Sequence, residues 1–119
     1  MTLLNSAKTY KEEEAYFRGI YSIVKEYSFD NGEIKNGELI LYNASFEILE
    51  KIPLANEKGY KLVRIIKDHG TEQIYFIMGG AVDDNYGIVF ANRSSVDMDG
   101  IYLLERISGN SFYYETFRS

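Results

Sequence analysis

Two aspartates near the end of the chain, Asp97 and Asp99, have the residue type and spacing best suited to chemistry. They lie in the stretch SSVDMDGIYLL, residues 94–104, and Gly100 follows them directly. In a D-x-D-G arrangement one carboxylate can attack phosphorus while the other acts as acid and base. The same spacing supplies oxygen ligands in some calcium loops. The stretch is therefore a phosphatase site, a cation site or an acidic turn.

The surrounding residues argue against the first two interpretations. A phosphatase motif of this kind ends an apolar strand and needs further motifs after it, whereas Ser94 and Ser95 precede this one and the chain ends at residue 119. If Gly100 takes the sixth position of an EF-hand loop, the twelfth is Arg106, which cannot supply the required carboxylate. We predict a turn before a strand, with no catalytic residue and no EF-hand metal site; a cation site of another kind stays open.

A second acidic stretch, MGGAVDDNYG at residues 78–87, contains Asp83 and Asp84. No Lys, Ser or Thr follows its glycines in the spacing of a phosphate-binding loop, and the carboxylates would repel phosphate. Because both acidic stretches flank one predicted strand, Asp83, Asp84, Asp97 and Asp99 could meet at one edge of the sheet. Such a cluster would hold a cation or the basic side chains of a partner; two separate solvated loops are the simpler alternative.

The composition limits the class of protein. A chain of 119 residues with 45% hydrophobic content is expected to form one soluble domain, residues 1–119. It has no cysteine and a single histidine, His69, which excludes disulfides, thiolate zinc sites and histidine-rich metal sites within one chain. We predict no cofactor. No apolar run could span a bilayer and no secretory signal is evident, so we expect a cytoplasmic protein without membrane contact.

The net charge of −5 is unevenly distributed. Residues 1–70 contain 10 basic and 11 acidic residues, whereas residues 71–119 contain 3 and 7. An acidic surface repels phosphate backbones, so direct nucleic-acid binding is not expected. The charge favours a partner protein with a basic surface, although negative charge also keeps a small protein in solution.

An α+β fold is predicted to position these side chains. Apolar residues at spacings of three and four predict a helix within residues 1–30, with this buried stripe: Tyr16, Ile20, Ile23, Val24 and Tyr27. Thr9 and Glu12 match a capping box. The stretch FDNGEIKNGE after the helix predicts turns, because it contains two Asn-Gly pairs and no apolar stripe.

Residues 38–119 are expected to form a curved, mainly antiparallel sheet of about five strands, arranged as a meander of hairpins. A two-residue turn at His69-Gly70 would pair Lys67 with Glu72, which places opposite charges in register. Leu39–Tyr42 looks like a strand. Residues 43–52 fit either a short helix or a strand.

The last hairpin contains the predicted partner anchors. A Gly109-Asn110 turn would pair Arg106 with Tyr113 and place both beside Tyr102 on a half-exposed face, with the N-terminal helix on the opposite face. Tyrosine and arginine carry much of the energy of protein interfaces. Tyr102, Arg106 and Tyr113 are therefore predicted anchors, and the four aspartates would steer a basic partner. A second shallow core under residues 43–58 explains the same pattern equally well.

The stretch YFIMGGAVDDNYGIVF with the later DGIYLLERI, between residues 75 and 107, resembles the C-terminal part of SUKH-type immunity domains. Those domains show an apolar strand, a Gly/Asp-rich loop, another strand and a G-x-Y strand. The earlier part of this chain lacks the Leu-Pro-x-x-Tyr stretch that such domains carry. The resemblance implies an immunity-type, protein-binding function.

The sequence thus predicts a small acidic protein-binding module without enzymatic activity, of the inhibitor or immunity type, that covers a basic partner surface. The alternative is a domain that binds a small molecule or a cation in a pocket between helix and sheet, either without catalysis or as an enzyme. A structural or oligomerising domain that uses an exposed strand edge is the third hypothesis.

Overall fold

One helix packs on one face of an eight-stranded antiparallel sheet in the computed structural model, which describes residues 9–55, 59–81, 84–91, 101 and 103–116. The α+β prediction is confirmed, whereas the sheet has eight strands rather than about five. The helix is α1 (Lys11–Val24), and the strands are β1 (Asn31–Lys35), β2 (Glu38–Tyr42), β3 (Ile48–Pro53), β4 (Arg64–Asp68), β5 (Gln73–Ala81), β6 (Asp84–Phe90), β7 (Leu103–Ser108) and β8 (Ser111–Glu115). They lie in the order β3-β2-β1-β4-β5-β6-β8-β7.

Helix α1 buries Ile20 and Val24 of the predicted stripe, whereas Tyr16 and Tyr27 are only partly buried. Its buried residues are Glu14, Phe17, Ile20, Tyr21 and Val24. The buried side of the helix is rotated toward Phe17 and Tyr21, because their rings stack on rings of the sheet. Phe17 stacks on Phe76 of β5 at 4.9 Å between ring centroids, and Tyr21 stacks on Phe90 of β6 at 4.7 Å. The predicted core residue Ile23 is 37% exposed.

The helix begins one residue later than the predicted capping box. Tyr10 rather than Thr9 is at the N-cap, and Tyr10 makes no side-chain cap hydrogen bond. Three acidic residues, Glu12, Glu13 and Glu14, do occupy the first turn, where the positive end of the helix dipole stabilises them.

The segment predicted as turns forms one of them, at Asn36-Gly37, whereas the other Asn-Gly pair, Asn31-Gly32, lies in strand β1. Strand β1 pairs with β2 through an Asn36-Gly37 turn, in which both residues have positive φ angles of 53° and 76°. That conformation matches the twist of the two strands. Strand β1 lacks an apolar stripe because Gly32 lies where a Cβ atom would come within 3.1 Å of Leu41 and 3.4 Å of Ile65. Its neighbours fill the space instead.

The β4–β5 hairpin has a four-residue loop, so the predicted pairing of Lys67 with Glu72 is wrong. Lys67 pairs with Ile74, and Asp68 pairs with Gln73. The carboxylate of Asp68 explains the longer loop, because it accepts hydrogen bonds from Gly70 N and Thr71 Oγ1, both at 3.0 Å. Glu72 closes the loop with a φ of 64°.

The last hairpin turns at Gly109-Asn110 as predicted, with Ser108 opposite Ser111. A bulge between Arg106 and Ser108 then shifts the register by one residue, so Arg106 pairs with Phe112. Because side chains alternate between the faces of a strand, this one-residue shift places Arg106 and Tyr113 on opposite faces. The prediction that they share a face is wrong.

The two faces of the sheet differ in what covers them. The helix face carries the main core, which includes Phe17, Leu39, Leu41, Ile65, Ile74, Phe76, Ile88 and Phe90. The opposite face, called the outer face here, carries a second small core of Val89, Ala91, Phe112 and Tyr114, with Tyr75, Ile101 and Leu104 packed against it. A second core therefore exists, but residues 43–53 do not cover it, since they continue the sheet to its edge.

Candidate functional site

Most of the predicted acidic cluster lies outside the described residues. This holds for Asp83, Asp97 and Asp99, and for the predicted anchor Tyr102. The backbone of Asp84 begins β6 and pairs with Ala81. Whether the four aspartates meet stays a prediction. Gly79 and Gly80 are not in a phosphate-binding loop, because they belong to β5.

The two predicted anchors that the structure describes have different surroundings. Tyr113 is 5% exposed and lies on the helix face, where its ring stacks on Tyr10 at 5.2 Å and its hydroxyl donates to Glu115 Oε2 at 2.6 Å. Burial and this hydrogen bond raise the pKa of Tyr113. Arg106 is exposed on the outer face, with its guanidinium 4.8 Å from the Phe112 ring centre. The prediction that Tyr113 lies on a half-exposed face is wrong.

A buried polar network holds α1 on the last hairpin, and no pattern in the sequence predicts it. Oε2 of Glu14 accepts hydrogen bonds from Arg18 Nη2 at 2.6 Å, Arg18 Nε at 3.0 Å and Ser111 Oγ at 2.6 Å. Arg18 also donates to Asn110 Oδ1 and to Ser108 O. The carboxylate is matched by its donors, so the network serves to hold the helix on the sheet rather than to react.

The outer face has a groove of about 360 Å³ beside the second core. It is lined by Ile66, Asp68, Tyr75, Ile77, Asn85, Ile101, Tyr114 and Thr116. Its polar groups already have partners: Tyr114 donates to Asn85 Oδ1 at 3.2 Å, and the Asp68 carboxylate holds the β4–β5 loop. Burial raises the pKa of the Tyr114 hydroxyl above its usual value.

An apolar patch lies at the β2–β3 hairpin, toward the end of the sheet that is formed by β3. Phe46 is 57% exposed and Val63 is 55% exposed, and both line the same depression. Ile48, opposite Tyr42 in the sheet, is also largely exposed. We call Phe46, Ile48 and Val63 the hairpin patch. They are three of the five large apolar side chains that are exposed among the described residues.

Phe46 violates two local rules at once. Its φ of 61° places an aromatic residue in the left-handed region, which glycine or asparagine adopts at lower cost. The turn that holds it is well bonded: Oδ1 of Asn43 accepts from Ser45 N and Glu47 N, both at 2.9 Å, and Phe46 N donates to Asn43 O. The hydrogen bonds of the turn thus hold the backbone of Phe46 in a position that leaves its ring largely exposed.

The depression below Phe46 opens where β1 and β4 separate. The two strands pair at only two positions, Asn31 with Ile66 and Gly32 with Ile65. Beyond them lies a space of about 330 Å³, lined by Asn31, Gly32, Glu33, Tyr42, Phe46, Val63 and Arg64. We call it the Arg64 pocket.

The Arg64 pocket contains one cation and one anion that do not pair with each other. Nε of Arg64 is buried and has no hydrogen-bond partner among the described residues. The carboxylate of Glu33 accepts a hydrogen bond from the Tyr42 hydroxyl, which raises the pKa of Tyr42. A buried donor without an acceptor is uncommon in folded proteins, and it is a reason to look for a ligand.

The outer edge of β3 is a poor template for an added strand. A register shift next to Tyr42 disturbs its pairing with β2, Lys51 is exposed, and Pro53 has no N–H to donate. Bulges, lysine and proline are the features by which soluble proteins protect their sheet edges. The hypothesis of oligomerisation through a strand edge therefore gains no support at β3.

Other predicted chemistry is limited to small observations. His69 lies in a loop, as predicted, with Nε2 3.0 Å from Asp30 Oδ1. Within the described ranges, no group of three or more acidic or histidine side chains is arranged to hold a metal ion. No helix in this part of the chain is long and apolar enough to cross a membrane.

Comparison with known protein families, with curated proteins and with solved structures finds no match to this chain. The resemblance of residues 75–107 to SUKH-type immunity domains therefore stays a prediction. The function must be inferred from the geometry of the outer face.

Proposed function

We propose that this chain is a non-enzymatic protein-binding module of the inhibitor or immunity type, and that the hairpin patch is its contact surface. The observation that carries the proposal is Phe46. An exposed aromatic ring in a strained backbone position costs stability, and such strain is retained mostly where it serves a function. Aromatic anchors dominate the energy of many protein interfaces.

The charge of the chain indicates the kind of partner. At a net charge of −5 the chain attracts basic proteins over distances of about a Debye length and speeds their association. Exposed Glu47 and Glu50 flank the patch residue Ile48 in the sequence, whereas Lys51 is the nearest basic residue along the strand. A partner with an apolar cleft and a basic rim fits this surface.

A capture experiment with a matched control tests the proposal. Three proteins are immobilised: wild type, Phe46→Asn and Glu72→Asn. Each is incubated, at low and at high salt, with a lysate of the cells that naturally carry its gene. Glu72 is the matched control, because it is also exposed and has a positive φ, but it lies in the β4–β5 loop. We expect one basic protein to bind wild type and Glu72→Asn, to be lost with Phe46→Asn and to be weakened by salt. Equal capture by the wild type and both variants, or no capture by the wild type, would refute the proposal.

The groove on the outer face supports a second candidate function, the binding of a small molecule. Its volume of about 360 Å³ and its aromatic and aliphatic walls are typical of ligand sites. A ligand at a hundred times its Kd would stabilise the fold by about 2.7 kcal/mol. Thermal shift with nucleotides, sugars, Ca²⁺ and Mg²⁺ at millimolar concentration tests it. A shift that Ile66→Arg abolishes would support the groove, and no shift with any compound would count against it.

A further inference from the structure

We infer that the groove on the outer face binds a small organic amine, with the ammonium group on Asp68 and an apolar body against Ile66 and Tyr75. This inference rests on the second candidate function and names the class of ligand. It starts from the charge of the groove, because Asp68 is the one formally charged residue among the described residues that line it. A negative charge beside apolar walls is complementary to a cation with an apolar body.

The carboxylate of Asp68 has hydrogen-bond donors but no cation among the described residues. Gly70 N and Thr71 Oγ1 each donate to it at 3.0 Å, and both donors are uncharged. The ion pairs of the described chain involve two other acids, Glu14 and Asp30. A carboxylate can accept about four hydrogen bonds, so the exposed Asp68 can accept further bonds from an ammonium group.

The surroundings of the groove argue against other classes of ligand. The charge of Asp68 would repel an anion such as a nucleotide. A divalent metal ion needs about six oxygen ligands, whereas no group of three or more acidic or histidine side chains is arranged to hold one within the described ranges. A sugar needs many free hydrogen-bonding groups, but the hydroxyls of the lining bond within the chain: Tyr75 with Gln73, Tyr114 with Asn85, and Thr116 with the backbone of Asn85.

The apolar body of such an amine fits beside the carboxylate. Ile66 and Asp68 lie two residues apart on the same face of β4, a separation of about 7 Å. An amine whose nitrogen is joined to a ring through two carbon atoms spans that distance. The ring would contact Ile66 and its cross-strand neighbour Tyr75, whose own ring lies 5.2 Å from that of Tyr114. The groove volume of about 360 Å³ exceeds that of one lysine side chain, so a free amine fills it better than a single side chain of a partner.

Isothermal titration calorimetry of the full chain tests the inference with three probes of nearly equal shape. Phenethylamine is a cation, phenethyl alcohol is neutral and phenylpropanoate is an anion. We expect saturable binding of the amine and no saturable binding of the anion. The alcohol should bind at least about fivefold more weakly than the amine, the factor expected for loss of one ion pair at a partly exposed site.

Two variants separate a specific site from the general attraction of cations to an acidic chain. Asp68→Asn removes the charge of the groove, while the asparagine side chain can still bond Gly70 N and Thr71 Oγ1. It should weaken phenethylamine binding at least about fivefold. Glu72→Gln removes the same charge from an exposed residue of the same loop, outside the groove lining, and should leave binding unchanged. Equal effects of the two variants would overturn the inference. The urea midpoint of each variant must match wild type, so that unfolding is not mistaken for lost binding.

The remaining outcomes distinguish failure of this inference from failure of the function on which it rests. Equal binding of phenethylamine and phenethyl alcohol, with both lost in Ile66→Arg, would keep the groove as a ligand site and overturn the inference of an amine. No saturable binding of phenethylamine would also overturn it, and the thermal-shift screen with other compounds then decides the second candidate function. Tighter binding of Nα-acetyl-L-lysine amide than of phenethylamine would overturn the inference as well, since the groove would then receive a side chain of the basic partner.

Discussion

Replacement of Phe46 by asparagine should leave the stability of the fold almost unchanged. Two opposing effects decide this. Asparagine tolerates the left-handed region, so relief of the backbone strain at φ 61° stabilises the variant by about 1–2 kcal/mol. Loss of the partly buried ring has the opposite effect.

The size of that loss follows from the exposure of the ring. A fully buried phenylalanine removes about 200 Å² from water. Because Phe46 is 57% exposed, less than half of this, about 90 Å², is buried, which corresponds to about 2 kcal/mol. The two effects nearly cancel, and we expect the free energy of unfolding to change by less than about 1 kcal/mol.

Urea unfolding followed by far-ultraviolet circular dichroism measures this change, since the chain has no tryptophan. Phe17→Ala, at a fully buried ring, is the contrasting variant and should cost about 3–5 kcal/mol. The matched variant Glu72→Asn relieves similar strain without loss of apolar contact, and should stabilise by about 1 kcal/mol. A loss above about 3 kcal/mol for Phe46→Asn would show that the ring supports the fold, and the argument for function would fail.

Three further predictions concern the fold that carries this surface. Gly87→Ala should destabilise the fold by more than about 2 kcal/mol, because the added Cβ atom would lie 2.0 Å from the backbone oxygen of Phe76. Gly19→Ala should stabilise the fold by about 1 kcal/mol, because no atom lies within 4 Å of the added Cβ atom. Urea unfolding measures both changes. Arg18→Met should cost about 2–4 kcal/mol in the same assay, because the buried Glu14 carboxylate loses its cation, and a cost near zero would refute the role of the network. The free energy of unfolding should fall as the pH rises above about 10, because burial raises the folded-state pKa of Tyr113 and Tyr114 and deprotonation then favours the unfolded chain. Equal urea midpoints at pH 8 and pH 11 would contradict this prediction.

The sequence predicts those elements whose apolar pattern matches their burial. The strands from β4 to β8 are recognisable as short apolar runs, and the turn at Gly109-Asn110 is recognisable from its residues. Strand β1 is missed because its space is filled by neighbours around Gly32 rather than by its own side chains. The helix stripe is misplaced because Phe17 and Tyr21 find aromatic partners on β5 and β6, and such distant partners leave no local signal.

The candidate site is harder to predict, because its defining features are violations of local rules. The bulge near Ile107 changes which side chains share a face, and this reverses the prediction for Arg106 and Tyr113. A phenylalanine that follows Asn-Ala-Ser, residues 43–45, is compatible with a turn, but only the backbone angle shows that the turn strains it. The unpaired Nε of Arg64 depends on the point where β1 leaves β4, which composition does not fix.

The two candidate functions are not independent, because their sites share one face of the sheet. Arg64 of the pocket and Ile66 of the groove are two residues apart on β4, which is about 7 Å along the strand. A protein interface of ordinary size buries about 800 Å² on each partner and would extend over both. A protein partner centred on Phe46 should therefore exclude a small molecule from the groove. Competition between the two ligands would favour a single binding face, whereas simultaneous binding would require the partner to approach from the β3 side alone.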